Sequence, residues 1–403
     1  MDLSVLTLAR TLPLHFFGGL EESSWNLART LARVGVSETI LTTSFDGKAR
    51  VTHQDGVEIH EIPYVDDRLR NRPTYRWWPH FAFAAARYVR ERAMKADVIH
   101  SQSLYVDGFL RWPRRPPIAV TMHGTPRGDY VGGARDKLID EVGWAHPRVL
   151  LQHLDVIRNT RRVRRQLKRV EAIVPVSRHV AEILPGVDRP DPRVRIIPNG
   201  INPSDFPLVD HADARSRLDL PAARHVLLYV GRIEKSKGVH RLVDLVSAQP
   251  DLVLLVAGEG PYLSALRERI ASRHVQARVR LLGRIREERP TIYAAADLVC
   301  LPSLHEGQPI SLVEAMAEGT PVATSHPWIP DELLPFAAIE PDADGMVRAG
   351  LALAEQTNRM EVREAVLSRF TWDRIAESYV GLFEHLAVGS SNPPLVHDPT
   401  SSA

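Results

Sequence analysis

The chain has 403 residues, of which 44% are hydrophobic and 25% charged, the balance of an ordinary globular protein. Its length predicts two domains, and a formal net charge of +2 is too small to indicate a nucleic-acid-binding protein. A single cysteine, Cys300, excludes a disulfide within the chain and fits a reducing compartment. No segment has the basic start and apolar centre of a signal peptide or the ~20 apolar residues of a membrane span. We therefore expect a cytoplasmic protein.

Short apolar runs rich in β-branched residues alternate with stretches of helical periodicity in the first half of the chain. This alternation predicts a mostly parallel sheet with helices on both faces. The predicted strands are Leu3–Leu8, Glu38–Thr42, Asp97–His100, Ile118–Met122 and Ala172–Val176, and the predicted helices include Leu20–Arg33 and Trp78–Met94.

A second series of the same kind follows the turn-rich connector Pro198–Pro207. The two series predict two Rossmann-like domains, over residues 1–200 and 201–370. A final helix is predicted at Trp372–Ala387, and the Ser- and Pro-rich tail 389–403 is predicted to be disordered. In the second series the predicted strands are Val226–Val230, Leu252–Ala257, Val279–Leu282, Leu298–Leu301 and Pro321–Ala323, and the helices Val239–Ala248, Tyr262–Arg273, Ile310–Glu318 and Met346–Gln356.

Two glutamates follow the predicted strand Leu298–Leu301. Glu306 lies on the loop after the strand, and Glu314 lies eight residues later, on the helix that opens near Pro309. Ligands of parallel α/β sheets bind at the carboxyl ends of the strands, and side chains on a helix tilt toward its N-terminus. Both carboxylates are therefore candidates to accept hydrogen bonds from one polyhydroxylated ligand. The alternative is a helix cap for Glu306 and a solvent-facing position for Glu314.

A loop with fixed cations follows the strand Val226–Val230. Arg232 and Lys237 supply positive charge, and Gly231 and Gly238 allow a ligand to approach the backbone closely. This combination is typical of a diphosphate site. The alternative is an exposed basic loop without a ligand.

Two further loops of the first half carry candidate residues. Gly18 and Gly19 permit a tight loop where a helix opens after the first strand, and His123 ends the strand Ile118–Met122 just before Gly124. The alternatives are a simple turn and a strand-end histidine bonded to the backbone.

These motifs together resemble glycosyltransferase family 4. The segment Glu306-x7-Glu314, followed by Ala-Met-Ala-Glu-Gly-Thr-Pro-Val, resembles the family signature, and Gly231-Arg232-x4-Lys237-Gly238 resembles its Gly-Arg-x(3–4)-Lys-Gly pattern. Thr121-Met-His123-Gly resembles its Thr-x-His-Gly motif. Gln308-Pro309 replaces the usual aromatic-Gly pair, which affects the details of sugar recognition.

The resemblance implies a GT-B fold, with two Rossmann-like domains facing across a cleft and a C-terminal helix that crosses back to the N-terminal domain. It also implies transfer, with retention of anomeric configuration, from a UDP- or GDP-type sugar donor to a glycan, lipid-linked or small-molecule acceptor, without a metal or other cofactor. In the family pattern Glu306 and His123 contact the sugar, Glu314 the ribose, and Arg232 and Lys237 the diphosphate. The remaining implied donor-site residues are Gly18, Gly19, Gly231, Gly258, Arg284, Gly307, Gln308, Pro309 and Ile310.

Other functions remain open on the sequence alone. GT-B folds also host sugar-nucleotide epimerases and hydrolases, and a non-catalytic nucleotide-sugar-binding subunit would share the fold.

Two features lie outside the family pattern. Residues 158–169 contain seven basic side chains with Val163 and Leu167 between them, which fits a helix on an anionic membrane surface or a solvated basic face. Asp342-Ala-Asp344 mimics a metal motif, but its Pro- and Gly-containing surroundings predict a turn.

Overall fold

The computed structural model describes residues 3–15, 18–63, 78–125, 128, 146–188, 190–221 and 224–389. The chain divides into two compact units. The first comprises Met1–Arg127, Leu150–Asn199 and Trp372–Ala403, and the second Gly128–Val149 and Gly200–Thr371. Residues 64–77, 126–127 and 129–145 and the predicted disordered tail beyond Gly389 lie outside the described residues.

The first unit contains one seven-stranded sheet. Its strands are Ser4–Leu8 (β1), Ser37–Thr43 (β2), Arg50–Gln54 (β3), Val57–Ile62 (β4), Val98–Ser101 (β5), Ile118–Met122 (β6) and Ala172–Pro175 (β7). Their order is β3-β4-β2-β1-β5-β6-β7, and all pairs are parallel except β3 with β4. The five predicted strands are present and end within one residue of their predicted bounds.

The hairpin β3–β4 was not predicted. Asp55 and Gly56 form its turn, and both have positive φ, at 50° and 81°. An Asp-Gly pair suits the two positive φ values of a tight hairpin turn. The hairpin adds the single antiparallel pair among the described strands of this sheet.

The second unit contains a six-stranded parallel sheet. Its strands are His225–Val230 (β8), Leu252–Ala257 (β9), Val279–Gly283 (β10), Leu298–Leu301 (β11), Val322–Thr324 (β12) and Ala337–Ile339 (β13). Their order is β10-β9-β8-β11-β12-β13. The chain moves outward from β8 in one direction to β9 and β10, and in the other direction to β11, β12 and β13. The carboxyl ends of β8 and β11 therefore flank the point where the strand order reverses, which is where open α/β sheets bind ligands.

Helices cover both sheets, as the alternating pattern predicts. They are Gly19–Arg33 (α1), Trp78–Glu91 (α2), Pro147–Leu167 (α3), Arg178–Glu182 (α4), His211–Arg217 (α5), Val239–Ala248 (α6), Leu263–Ser272 (α7), Arg289–Ala295 (α8), Ile310–Ala317 (α9), Ala343–Gln356 (α10), Arg359–Leu367 (α11) and Trp372–Ala387 (α12). None of the helices in the described ranges is long and apolar enough to cross a membrane.

The interpretation of Asp342-Ala-Asp344 as a turn is wrong. Asp342 is the N-cap of α10 and accepts a hydrogen bond from the Gly345 N–H at 2.8 Å, and Asp344 lies in the first turn. An aspartate at the N-cap satisfies a backbone donor that the helix leaves free, so α10 begins three residues before the predicted Met346.

The terminal helix α12 packs on the first unit. Trp372, Tyr379 and Phe383 are buried in a cluster with residues of α1 and β1. The Tyr379 hydroxyl lies 2.9 Å from Thr121 Oγ1 on β6, which in turn lies 2.8 Å from His100 Nε2 on β5. The return of the last helix to the first domain is thereby confirmed.

A buried carboxyl on β2 makes the stability of the first unit depend on pH. Glu38 is 2% exposed, and burial raises the pKa of its carboxyl to about 8. The folded chain therefore keeps a proton that the unfolded chain releases near pH 4.5. The contribution of this group to stability is fully present below that pH and is lost as the pH rises through about 8.

We predict that the effect of Glu38→Gln on stability, relative to the parent, becomes more favourable as the pH rises. The glutamine keeps the shape of the protonated acid and has no proton to lose. The difference in melting temperature, variant minus parent, should increase between about pH 5 and about pH 9. A difference that stays constant over this range would show that the pKa of Glu38 is not raised in the folded chain.

Candidate functional site

The main candidate site lies at the carboxyl ends of β8 and β11 in the second unit. Lys237 follows β8 and Glu306 follows β11, and Lys237 Nζ donates to Glu306 Oε1 at 2.7 Å. Ser303 Oγ donates to the same carboxylate oxygen at 2.8 Å, and Lys237 also lies 3.4 Å from the His305 carbonyl oxygen. The structure thus joins the predicted cation and the predicted acid at the reversal point of the sheet.

Glycines bring these two loops into contact. Gly238 has φ +72°, and a Cβ there would lie 2.1 Å from the Pro302 carbonyl oxygen. A side chain at this position is therefore excluded both by the left-handed backbone and by the close approach. The Leu304 N–H donates to the Ser236 carbonyl at 2.9 Å, which fixes the two loops to each other.

Gly258, on the loop after β9, lies against the same region. Its φ is +139°, and a Cβ would lie 1.9 Å from the Gly231 carbonyl oxygen. Both glycines are predicted site residues, and their contact leaves backbone rather than side chains at the end of β8. Such a surface allows a phosphate-bearing ligand to approach closely.

The other predicted cations are less enclosed. Arg232 has a side chain 73% exposed and pairs with Glu234 at 2.7 Å. Arg284 pairs with Glu259 at 2.9 Å, and both side chains are more than half exposed. Neither arginine is bonded to the Lys237–Glu306 pair, so only Lys237 of the predicted basic residues joins Glu306 directly.

Glu314 forms a second anchored carboxylate on α9. It is buried, accepts from Arg289 Nη1 at 2.7 Å and from the Tyr293 hydroxyl at 2.7 Å, and lies on the second turn of the helix. The alternative of a solvent-facing Glu314 is wrong. Glu306 is not the cap of α9 either, because Pro309 occupies that position.

The loop between the two carboxylates opens α9. Gly307 and Gln308 precede Pro309, Gln308 is buried, and Ile310 is the first helical residue. The first turn has no side-chain cap. The Leu312 N–H donates to the Pro309 carbonyl at 3.1 Å, and the positive end of the helix dipole favours an anionic ligand here.

The predicted residues of the first unit lie on its own loops. His123 follows β6, and its Nε2 lies 3.0 Å from Gln102 Oε1, on the loop after β5. Because an amide oxygen can only accept, Nε2 carries the proton and Nδ1 is an acceptor. Burial lowers the pKa of His123 to about 4, so the ring is neutral at neutral pH.

Gly18 and Gly19 lie where α1 begins. Gly18 is the N-cap of this helix, and the Glu21 side chain reaches back over it, with Glu21 Oε1 accepting from Thr11 Oγ1 at 2.7 Å.

Four residues of these clusters were not predicted from the sequence. Ser303 holds Glu306, Arg289 and Tyr293 hold Glu314, and Gln102 fixes the tautomer of His123. Among the residues that the structure describes, no three His, Cys, Asp or Glu side chains are grouped to hold a metal ion.

Comparisons with known proteins match this arrangement. The family model described as Glycosyltransferase Family 4 matches residues 17–205, and the model described as Glycosyl transferases group 1 matches residues 210–334. The chain belongs to glycosyltransferase family 4. The predicted resemblance is confirmed, and the two models fall on the two series of strands and helices.

Relatives of this glycosyltransferase align over most of its length. A D-inositol 3-phosphate glycosyltransferase of Corynebacterium urealyticum is 26% identical over 96% of this chain and 95% of its own. An alpha-monoglucosyldiacylglycerol synthase of Streptococcus pneumoniae is 28% identical over 77% of this chain and 69% of its own. The chain is accordingly a glycosyltransferase that acts on sugar-nucleotide donors.

A solved structure confirms the fold. Sucrose-phosphate synthase from Thermosynechococcus elongatus superposes with a TM-score of 0.74, at 22% identity, over 96% of this chain and 100% of its own. The predicted GT-B class is therefore correct for this glycosyltransferase.

Proposed function

We propose that this enzyme transfers a sugar, with retention of anomeric configuration, from a UDP- or GDP-type donor to a hydroxyl-bearing acceptor. The observation that carries the proposal is the Lys237–Glu306 contact at the reversal point of the second sheet. A cation and a carboxylate held 2.7 Å apart match a ligand in which an anionic diphosphate is bonded to a polyhydroxylated sugar.

Lys237 and Arg232 are proposed to neutralise the diphosphate as it leaves. Charge develops on the leaving group as the bond to the sugar breaks, and fixed donors at that point stabilise the transition state. These side chains supply that charge themselves, so we propose a reaction that needs no metal ion. Lys237 donates a hydrogen bond to Glu306, and a bound phosphate would compete with this carboxylate for the lysine ammonium.

The two carboxylates are proposed to orient the donor. Glu306 accepts hydrogen bonds from the sugar, and Glu314, fixed by Arg289 and Tyr293, accepts from the ribose. His123 is proposed to contact the sugar as a neutral acceptor. We assign no covalent nucleophile role to Glu306.

Named relatives support an acceptor that is a polyol or a lipid. One relative is a glycosyltransferase for D-inositol 3-phosphate, another a glucosyltransferase for 2-deoxystreptamine, and a third makes a glucosyldiacylglycerol. A solved neighbour, HepE from Anabaena, binds UDP and glucose. These names favour transfer to a hydroxyl group of a small or lipid-linked acceptor.

The test is a panel of UDP-, GDP- and ADP-sugars incubated with polyol and glycolipid acceptors and followed by NMR. We expect one donor to give a product whose new linkage has the anomeric configuration of the donor. A product of opposite configuration would contradict the retaining mechanism. Interconversion of donor sugars without an acceptor would indicate an epimerase, and donor binding without turnover across the panel would indicate a binding subunit.

A substitution of Tyr293, whose hydroxyl donates to Glu314, tests the role of this carboxylate. We predict that Tyr293→Phe raises the donor KM several-fold with little change in kcat, because Glu314 loses one of its two anchors and its orientation relaxes. Steady-state kinetics with the donor identified above measure this. The double variant Tyr293→Phe/Glu314→Gln should have the same KM for the donor as Glu314→Gln alone, since the Tyr293 hydroxyl acts through the Glu314 carboxylate. Additive effects would show that Tyr293 acts independently.

A further inference from the structure

The exposed face of α3 is apolar in the first half of the helix and cationic in the second half. In its first half Leu150, Leu151, Leu154 and Ile157 are exposed, with Leu150 63% and Leu151 57% accessible. In its second half and just beyond its end the exposed residues are Arg158, Arg161, Arg164, Arg165, Lys168 and Arg169. The one acidic residue between positions 150 and 169, Asp155, is partly buried.

These residues form one continuous stripe. Positions 150, 154, 157, 161, 165 and 168 follow one another at intervals of three or four, so their side chains lie in a row along the helix. The opposite side is fixed to the first unit: Val163 and Leu167 are buried, and Gln166 and Arg162 are bonded to Asp107. The basic half of the stripe is therefore held outward.

Most of the basic half lacks a carboxylate partner among the described residues. Arg162, which faces sideways, pairs with Asp107, but Arg158, Arg161, Arg164, Arg165 and Lys168 form no ion pair with a carboxylate in the described part of the chain. Concentrated uncompensated positive charge favours an anionic partner.

The apolar half narrows the choice of partner. Exposed leucines in a row lose contact with water only against an apolar phase or an apolar protein surface, and a nucleic acid offers neither. An anionic bilayer offers both required features, because acyl chains lie directly beneath negatively charged headgroups.

A cavity continues the basic half. It has a volume of about 670 Å³ and begins at Lys168 and Arg169, and its other cationic walls are Arg115, Arg193 and Arg195. Leu382 and Leu386 of α12 form part of its apolar lining. Glu171, its one carboxylate, is engaged by Arg115 at 2.7 Å. A cationic rim with an apolar lining suits a lipid headgroup and the start of its chains.

We propose that the stripe of α3 is a docking surface for an anionic lipid bilayer. The helix lies flat on the membrane, with its leucines among the acyl chains and its arginines at the headgroups. The first unit is thereby anchored to the surface. This inference does not depend on the identity of the donor or of the acceptor.

The experiment is co-sedimentation of the full chain with vesicles of phosphatidylcholine alone or mixed equally with phosphatidylglycerol. We expect binding to the mixed vesicles, weakened by salt, and little binding to the neutral ones. Arg158→Gln/Arg161→Gln/Arg165→Gln should lower the partition coefficient on the order of 100-fold. Leu151→Ser/Leu154→Ser should lower it at least 10-fold. A triple change at three exposed arginines elsewhere, Arg87→Gln/Arg90→Gln/Arg267→Gln, is the charge-matched control and should bind like the parent.

Three outcomes would overturn the proposal. One is no difference between the two kinds of vesicle. Another is equal loss of binding in the control and in the α3 variants, which would indicate a general charge effect. The third is a dimer of the parent chain that Leu151→Ser/Leu154→Ser dissociates, which would assign the leucines to a second copy. Circular dichroism and donor turnover without membranes should be unchanged in each variant, because the altered side chains are exposed.

Discussion

Glu306→Gln is expected to lower kcat about 10²- to 10³-fold while leaving the affinity for the free nucleoside diphosphate unchanged or increased. The substitution keeps the shape of the side chain and removes its charge. The sugar then loses a strong acceptor, and positive charge that develops on the sugar in the transition state is no longer stabilised. Lys237, in contrast, is released from its 2.7 Å contact with the carboxylate and can bind phosphate without competition.

Two measurements separate these effects. Steady-state kinetics give kcat with the full donor, and calorimetry gives Kd for the nucleoside diphosphate alone. Glu268→Gln on α7, an exposed glutamate of the same unit, is the control and should alter neither quantity. If Glu306→Gln retained parental kcat, the assignment of Glu306 to the sugar would be wrong.

Lys237→Met is expected to weaken both turnover and nucleotide binding. Methionine keeps most of the length of the chain and removes the ammonium. A charge-assisted hydrogen bond to phosphate contributes about 1.5–3 kcal/mol, so Kd for the nucleoside diphosphate should rise about 10- to 100-fold. The effect on kcat/KM should be larger for two reasons. Glu306 loses the cation that separates its charge from the diphosphate, and the negative charge that develops on the leaving nucleoside diphosphate is less stabilised.

The matched control lies two residues away on the same loop. Lys235 is exposed, whereas the ammonium of Lys237 is bonded to Glu306, so Lys235→Met removes the same charge without touching the pair. We expect at most a few-fold change in Kd. Equal effects of the two substitutions would mean that the loop contributes only diffuse positive charge.

The sheet cores could be predicted from the sequence because burial on both faces demands continuous apolar runs. Strands such as Leu252–Ala257 stand out as uninterrupted β-branched and leucine-rich segments. Strand β3 carries no such signal, since all five of its residues are exposed. The Asp55-Gly56 pair between two alternating runs was the available indication, and it is a turn signal rather than a strand signal.

Some residues of the candidate site could likewise be predicted from the sequence, and others could not. Glu306, Lys237 and the glycines lie in motifs with fixed spacing, which sequence reasoning finds. Ser303, Arg289 and Tyr293 have no motif of their own, and their roles arise only when β11, α8 and α9 are brought together in the fold. Lys237 directly precedes Gly238 in its motif, and the close approach of Gly238 to Pro302 holds this lysine beside the loop that carries Glu306.

A crystal structure with a bound nucleoside diphosphate sugar would show whether Lys237 and Glu306 bind the same ligand. We expect the diphosphate within hydrogen-bond distance of Lys237 Nζ and the sugar hydroxyls at the Glu306 carboxylate, with the ribose at Glu314. A donor bound away from the ends of β8 and β11, with the contact between Lys237 and Glu306 unchanged, would contradict it.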